Sequence, residues 1–247
     1  MPQLLTTELQ AFTRAIELID AYRQAQSPGQ LTEAAGHLAM VGYELLQLEG
    51  RYLYLRETAP VRGWGLFVID TVASNRLVIE VPAPLDERGT FEAGTSLFLN
   101  AQAGALAIAG SRRGSNSDGA SDVLMNRDTL FHVFHHTLAR RDVLQVRGYT
   151  VETARSDASV SEQWTADGLA ALPNTLWVKS ALPPGLNLAN LKQMLGSLAV
   201  EWRPLPVSNR QRETTRRGFA ELLLNEAAIR KLRARFITEE QAPQLRV

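Results

Sequence analysis

The sequence predicts an α/β fold with three layers: a mixed, partly parallel sheet covered by helices on both faces, preceded by an N-terminal helical hairpin. Two observations predict this fold class. Short apolar and β-branched runs alternate with helical stretches from Leu77 onwards, as they do where helices join parallel strands. Hydrophobic residues make up 45% and charged residues 21% of the 247 residues, which is ordinary usage for a chain with a full core.

The first 50 residues are predicted to form a helical hairpin or cap, and residues 51–247 to form the α/β domain. Apolar residues recur three and four apart between residues 5 and 26, which is the spacing of one helix face, and Ser27-Pro28-Gly29 ends that helix. The pattern predicts a second helix over residues 31–48. The hairpin would cap the sheet or offer a docking surface.

Strands and helices then follow in sequence order. The second and third strands have a short connection, which predicts that they pair antiparallel. The expected strands are residues 52–55, 65–69, 77–81, 105–109, 143–146, 175–179, 200–202 and 218–224. The expected helices are residues 90–99, 129–140, 188–198 and a last one ending near Phe236, with long loops at residues 110–127 and 156–168.

Charge and residue content exclude several classes of function. Lys plus Arg equals Asp plus Glu at 26 each, so no net field favours nucleic acid. The absence of cysteine excludes disulfides, thiolate nucleophiles and Cys-ligated metals. No apolar run approaches the roughly 20 residues that cross a bilayer. We therefore expect no transmembrane segment and a cytoplasmic protein, unless a leader or anchor has been removed.

Polar residues follow three of the predicted strands. In an open α/β sheet, ligands bind beyond the carboxyl ends of parallel strands, so the turns that follow these strands are expected to face one cleft. The candidate cleft residues are Ala83, Asp86, Arg113, Ser121, Asp122, Arg147 and Tyr149. A hydrolytic triad from Ser111 or Ser121 with Asp122 and a histidine has no Gly-x-Ser-x-Gly motif to support it.

The helix at residues 129–140 carries three of the four histidines, His132, His135 and His136. His132 and His136 are four residues apart and share a helix face, a spacing that can hold a metal. The glutamate that follows the first histidine in the helical zinc motif is replaced by Val133. Packing at a helix–sheet contact is the plainer explanation of this pair, and we expect no cofactor, with zinc as the alternative.

The order of these motifs resembles the bacterial zinc-dependent hydrolases of the N-formylglutamate amidohydrolase-like and zinc-carboxypeptidase-like type. The resemblance covers roughly residues 77–235. It lies in Val81-Pro82-x-Pro84 with Asp86 and Thr90, Gly110-x-x-Arg113, Ser121-Asp122, Phe131-x-x-x-His135 and Gly148-Tyr149. It implies a hydrolase of amide bonds in small acidic or peptide substrates.

Three departures from that family's pattern indicate a degenerate member. The family implies a metal-binding histidine where this chain has Ala83, leaving Asp86 as the acidic ligand, and a second histidine at Arg147. It implies a general base near the end of the chain, where Phe219-x-Glu221-x-Leu223 places a leucine. Zinc hydrolysis needs three N or O ligands and a carboxylate that takes a proton from water.

Two hypotheses of function follow. The first is a catalytically degenerate zinc-hydrolase-like domain that acts as a binding or scaffolding protein, with another protein or a small acidic ligand as its partner. The alternative is an active metal-dependent amidase or peptidase with a site rebuilt from Asp86, Asp122, His132 and His136. The basic run at residues 203–217, which includes Arg212, could bind a carboxylate, and Glu221 is a further cleft candidate.

Overall fold

The computed structural model describes residues 3–138, 142–150, 172–202 and 209–238. The predicted loop at residues 156–168 and Arg203 of the basic run lie outside them. The described residues form one nine-stranded sheet with helices on both faces, which confirms the predicted fold class. None of the described helices is long and apolar enough to cross a bilayer.

The sheet is mixed, with its parallel part in the middle. In chain order its strands are β1 (Tyr43–Leu48), β2 (Tyr52–Glu57), β3 (Leu66–Asp70), β4 (Val78–Val81), β5 (Ala105–Ile108), β6 (Val143–Gly148), β7 (Thr175–Val178), β8 (Ala199–Trp202) and β9 (Phe219–Leu224). Their spatial order is β1-β2-β3-β5-β4-β6-β9-β7-β8. Strands β5, β4, β6 and β9 are parallel neighbours, so their carboxyl ends share one edge.

Two hydrophobic cores lie on the two faces of the sheet. The helices on the first face are α1 (Thr6–Ala25), α2 (Pro28–Ala39), α4 (Leu130–Thr137) and the short α6 (Arg210–Thr214). Those on the second face are α3 (Thr90–Asn100), α5 (Leu188–Leu195) and α7 (Glu226–Thr238). Strand residues alternate between the cores, as the period of two in a strand requires.

The prediction of the second helix was wrong at its C-terminal end. That helix stops at Ala39, and residues 43–48, expected to be helical, form strand β1 paired antiparallel with β2. Gly42 has a φ of 70°, a conformation that ends the helix and that glycine adopts without strain. The helical hairpin of α1 and α2 forms as expected, while the division of the chain at residue 50 stays a prediction.

The expected antiparallel pairing of the second and third predicted strands was also wrong. Strand β5 lies between β3 and β4, pairing antiparallel with β3 and parallel with β4. The short connection between β3 and β4 favoured a hairpin. In the sheet, β5 lies between these two strands, although it comes later in the chain. The predicted meeting of the strand ends at Val81, Ala109 and Val146 is confirmed by the order β5-β4-β6.

Candidate functional site

Three buried charged residues form an ion cluster near the carboxyl edge of the parallel strands: Glu87, Arg147 and Glu221. Arg147 donates from Nε to both carboxylate oxygens of Glu87, at 2.8 and 3.0 Å, and from Nη1 to Glu221 Oε1 at 3.0 Å. The Gly148 N–H donates to Glu87 Oε2 at 2.8 Å. One guanidinium therefore joins two carboxylates from different parts of the chain.

Strand pairing and one tight turn bring the cluster together. Arg147 and Glu221 lie on the adjacent parallel strands β6 and β9, and both point to the first face. After β4 the backbone turns sharply, since the N–H groups of Asp86 and Glu87 both donate to Ala83 O. The Glu87 side chain then lies inside, only 4% exposed, while Asp86 is exposed.

Burial makes the charges of the cluster interdependent. Arg147 is 8% and Glu221 is 6% exposed. Burial opposes the charge of Arg147, but the two carboxylates outweigh it and raise the pKa of the guanidinium. Burial raises the pKa of Glu221, which Arg147 only partly opposes. Two carboxylates share one cation, so the fully ionised cluster would keep a net negative charge.

The cluster does not fit a zinc ion. Zinc needs lone pairs on nitrogen or oxygen, and a guanidinium has none to give. Both oxygens of Glu87 and Oε1 of Glu221 already accept hydrogen bonds from Arg147. Ala83 is buried and has no ligating side chain. These residues therefore hold each other rather than a metal.

A second polar group, in the loop after β5, brings together four predicted cleft residues. Arg113 pairs with Asp122 through Nε at 3.1 Å and Nη2 at 2.8 Å, and its backbone N–H donates to Asp86 Oδ2 at 2.9 Å. The Ser121 hydroxyl donates to Arg113 O at 2.8 Å. This hydroxyl therefore has no histidine as a base, and both aspartates are held by one arginine.

The helical histidines have different surroundings. His136 is exposed, whereas His132 is 7% exposed and has its Nδ1 3.5 Å from Gln211 Nε2. Burial lowers the pKa of His132 to about 4, and the charges of nearby histidines and arginines add to this. The rings of His132 and His136 lie 6.3 Å apart. Within the described ranges, no three carboxylate or imidazole groups form a metal-binding arrangement.

A buried polar row crosses the first face at the middle of the sheet. His135 Nδ1 lies 2.6 Å from Glu80 Oε1, with both side chains fully buried, and His135 Nε2 lies 3.2 Å from Thr215 Oγ1. The order hydroxyl, imidazole, carboxylate matches a hydrolytic triad. The Thr215 hydroxyl, however, donates to Gln211 O at 2.8 Å and is only 7% exposed. The row holds α4 and the α6 segment against the sheet.

The two remaining candidates are Tyr149 and Arg212, and the charge of Arg212 lies close enough to Glu221 to favour its ionised form. Tyr149 donates its hydroxyl to Pro173 O at 3.1 Å, which ties the end of β6 to the start of β7. Arg212 accepts a hydrogen bond from Lys179 Nζ at its backbone oxygen, at 2.8 Å. Of the predicted site residues, the structure groups Arg147 with Glu221, and Asp86 with Arg113, Ser121 and Asp122.

Sequence reasoning missed Glu87 and the pairing of Glu80 with His135. The family resemblance implies Asp86 as the acidic ligand, but the turn at Ala83 directs its neighbour Glu87 inward. Glu80 had a visible signal, because a charged residue within an apolar strand has to find a buried partner. No such signal distinguishes Glu87 from Asp86 without the geometry of the turn.

Comparisons with known proteins add little to this geometry. No family model matches the chain, and no curated protein matches it. A solved structure from Shewanella baltica OS155, titled "Putative metallopeptidase", aligns with 81% of this chain and 86% of its own at 11% identity and a TM-score of 0.41. That similarity is too low to assign an activity, so what the site can do has to follow from its own residues.

Proposed function

We propose that this chain is a catalytically silent member of the zinc-hydrolase-like proteins and acts as a binding or scaffolding protein. The supporting observation is the Arg147 guanidinium, which lies between Glu87 and Glu221 at the edge where a hydrolase of this kind would bind its metal. A fixed internal cation satisfies the carboxylates without a metal. Its donors are already given to those carboxylates, and a guanidinium does not lower the pKa of a bound water as zinc does.

The proton-transfer part of the chemistry is also missing from this cluster. Leu223, at the position expected for the base, is buried in the first core and has no titratable group. Glu221 points to the same face but is only 6% exposed and paired with Arg147, whereas a general base has to reach the attacking water. We infer that the cluster stabilises the fold rather than a transition state.

The surface beside the cluster has the composition of a binding surface. Leu85 is 53% and Phe91 is 39% exposed in the segment that follows β4. Arg88 and Arg112 are exposed beside the same edge, and no described group pairs with either. Exposed apolar side chains flanked by arginines favour a protein partner or ligand that has acidic and apolar groups.

Metal analysis and a hydrolysis assay test the proposal. Wild-type protein is incubated with excess zinc, dialysed against metal-free buffer and analysed by mass spectrometry beside a Glu87→Gln/Glu221→Gln variant. Both should retain far less than one zinc per chain, and wild type should release no amine from N-formylglutamate or short peptides. Stoichiometric zinc that survives dialysis, or hydrolysis that the double variant lacks, would overturn the proposal.

A further inference from the structure

A pocket of about 180 Å³ lies on the second face, at the opposite edge of the sheet from the ion cluster. Its floor is apolar and belongs to the second core: Ile79, Leu97, Leu144, Leu191 and Met194. Its rim is formed by neutral amide side chains, including Asn100, Gln102 and Asn190. Among the described residues that line the pocket, none is charged.

The pocket is held open by a fixed support. Asn75 Nδ2 donates to Ala101 O at 2.8 Å and to Gly185 O at 3.0 Å, while its Oδ1 accepts from Leu77 N at 3.0 Å. These bonds join the end of α3, the start of β4 and the loop before α5. A Cβ at Gly185 would lie 2.2 Å from Asn75 Oδ1, so this close approach requires glycine. The walls are therefore preorganised, which lowers the entropy cost of binding.

Two rim amides are available for a ligand. No described group hydrogen-bonds the side-chain amide of Gln102 or of Asn190. The backbone N–H of Asn190 donates to Asn187 Oδ1 at 3.0 Å, which leaves its side chain uninvolved. Gln102 has a φ of 47°, a conformation usually taken by glycine or asparagine after a helix. A strained residue with a long amide at a pocket rim is a feature that ligand sites share.

We propose that this pocket binds a small neutral cyclic amide of the lactam type. An engineered apolar cavity of about 150 Å³ takes one benzene, so this volume suits a ring of roughly six to nine non-hydrogen atoms. The apolar floor accepts the ring carbons, and the rim amides offer both donors and acceptors to a ring amide. Charged ligands are disfavoured, because burying their charge here has no compensating partner.

The test is a titration of ¹⁵N-labelled protein with δ-valerolactam, followed by NMR chemical shifts. Wild type should bind with a dissociation constant on the order of 1 mM, with shifts at Ile79, Leu144 and Leu191. The Asn190→Ala and Gln102→Gly variants should each bind about five-fold more weakly, the effect of one lost hydrogen bond. Gln102→Gly also relieves the strained φ, so it should fold at least as well as wild type.

Matched controls separate this site from unspecific binding. Gln193→Ala removes an exposed amide from the same helix outside the pocket and should bind like wild type. Piperidinium, a charged ring of similar size, should bind at least about ten-fold more weakly than the lactam. The proposal is overturned if the lactam causes no shifts at the pocket, if Gln102→Gly and Asn190→Ala both bind like wild type, or if cyclohexane binds as well as the lactam.

Discussion

Replacing Arg147 with methionine removes the cation of the ion cluster and keeps most of the side-chain volume. Glu87 and Glu221, only 4% and 6% exposed, would then face each other, and Gly148 N–H would be the donor that Glu87 keeps among the described residues. Breaking a buried ion pair by removing one partner costs about 3–5 kcal/mol. Total stabilities of about 5–15 kcal/mol make this a large fraction, so Arg147→Met should unfold at a much lower urea concentration at pH 7.

The pH dependence of this loss has a definite sign. Without the guanidinium, the burial that already raises the folded pKa of Glu221 above its unfolded value would be less opposed. Stability from such groups is retained at low pH and lost as the pH rises through the folded pKa. Arg147→Met should therefore be less destabilised at pH 5 than at pH 7, and urea denaturation at the two pH values measures this.

Two further variants make the test specific. Arg14 pairs with Glu33 at 3.1 Å with both side chains 51% exposed, so Arg14→Met should cost less than about 1 kcal/mol. A triple variant that adds Glu87→Gln and Glu221→Gln to Arg147→Met removes the uncompensated charges and should recover most of the loss. A loss below about 1 kcal/mol for Arg147→Met at pH 7, or no recovery in the triple variant, refutes the reasoning.

Three more predictions concern the same face. Glu87→Gln should lower the free energy of unfolding by about 2 kcal/mol in urea denaturation, because Glu87 accepts hydrogen bonds from both Arg147 and Gly148. Glu221→Gln should lower it by less than about 1 kcal/mol, because burial raises the pKa of Glu221 and so already disfavours its charge. Equal losses for the two variants would contradict this. His132 is neutral in the folded protein, with its pKa lowered to about 4, so wild type should lose at most about 2 kcal/mol between pH 7 and pH 5 as the unfolded chain takes up the proton. His132→Gln should flatten that pH profile, and an unchanged profile would show that another group causes it. The His132→Ala/His136→Ala variant should match wild type in metal content after zinc loading and dialysis, and a lower content would favour the rebuilt metal site.

The central strands could be predicted from sequence because their signal is local. The runs that become β4, β5 and β6 are mainly apolar segments bounded by turns, as expected for strands buried on both faces, with Glu80, Gln145 and Arg147 as the polar residues within them. Whether β3 pairs with β4 or with β5 depends on contacts distant in sequence, which no local pattern encodes. For residues 43–48, Leu45 and Leu48 fit a helix spacing, and the pairing with β2 decides the conformation instead.

The candidate site was predictable as a location but not as a set of contacts. The strand ends at β4, β5 and β6 do meet, and Arg147 and Glu221 do lie together. What decides the chemistry is the direction of one turn: the N–H groups of Asp86 and Glu87 share the Ala83 carbonyl, and only Glu87 turns inward. Adjacent acidic residues look alike in sequence, so only the backbone path distinguishes them.

The polar face of the central strands is closed by the chain itself. Gln145 Nε2 donates to Glu80 Oε2 at 2.9 Å, and Asn209 Nδ2 donates to Gln145 Oε1 at 2.8 Å. Thr215, at the other end of the same short segment, contacts His135 at 3.2 Å. A hydrolase needs polar groups that are buried yet open to substrate. Glu80, Gln145 and Asn209 instead hydrogen-bond one another, although Gln211 Oε1 of the same segment is buried without a partner among the described residues. Such a network rigidifies the face when its members are satisfied. Because α4 and α6 already cover this face, any partner has to bind at the exposed rim beside Leu85 and Phe91, or elsewhere on the molecule.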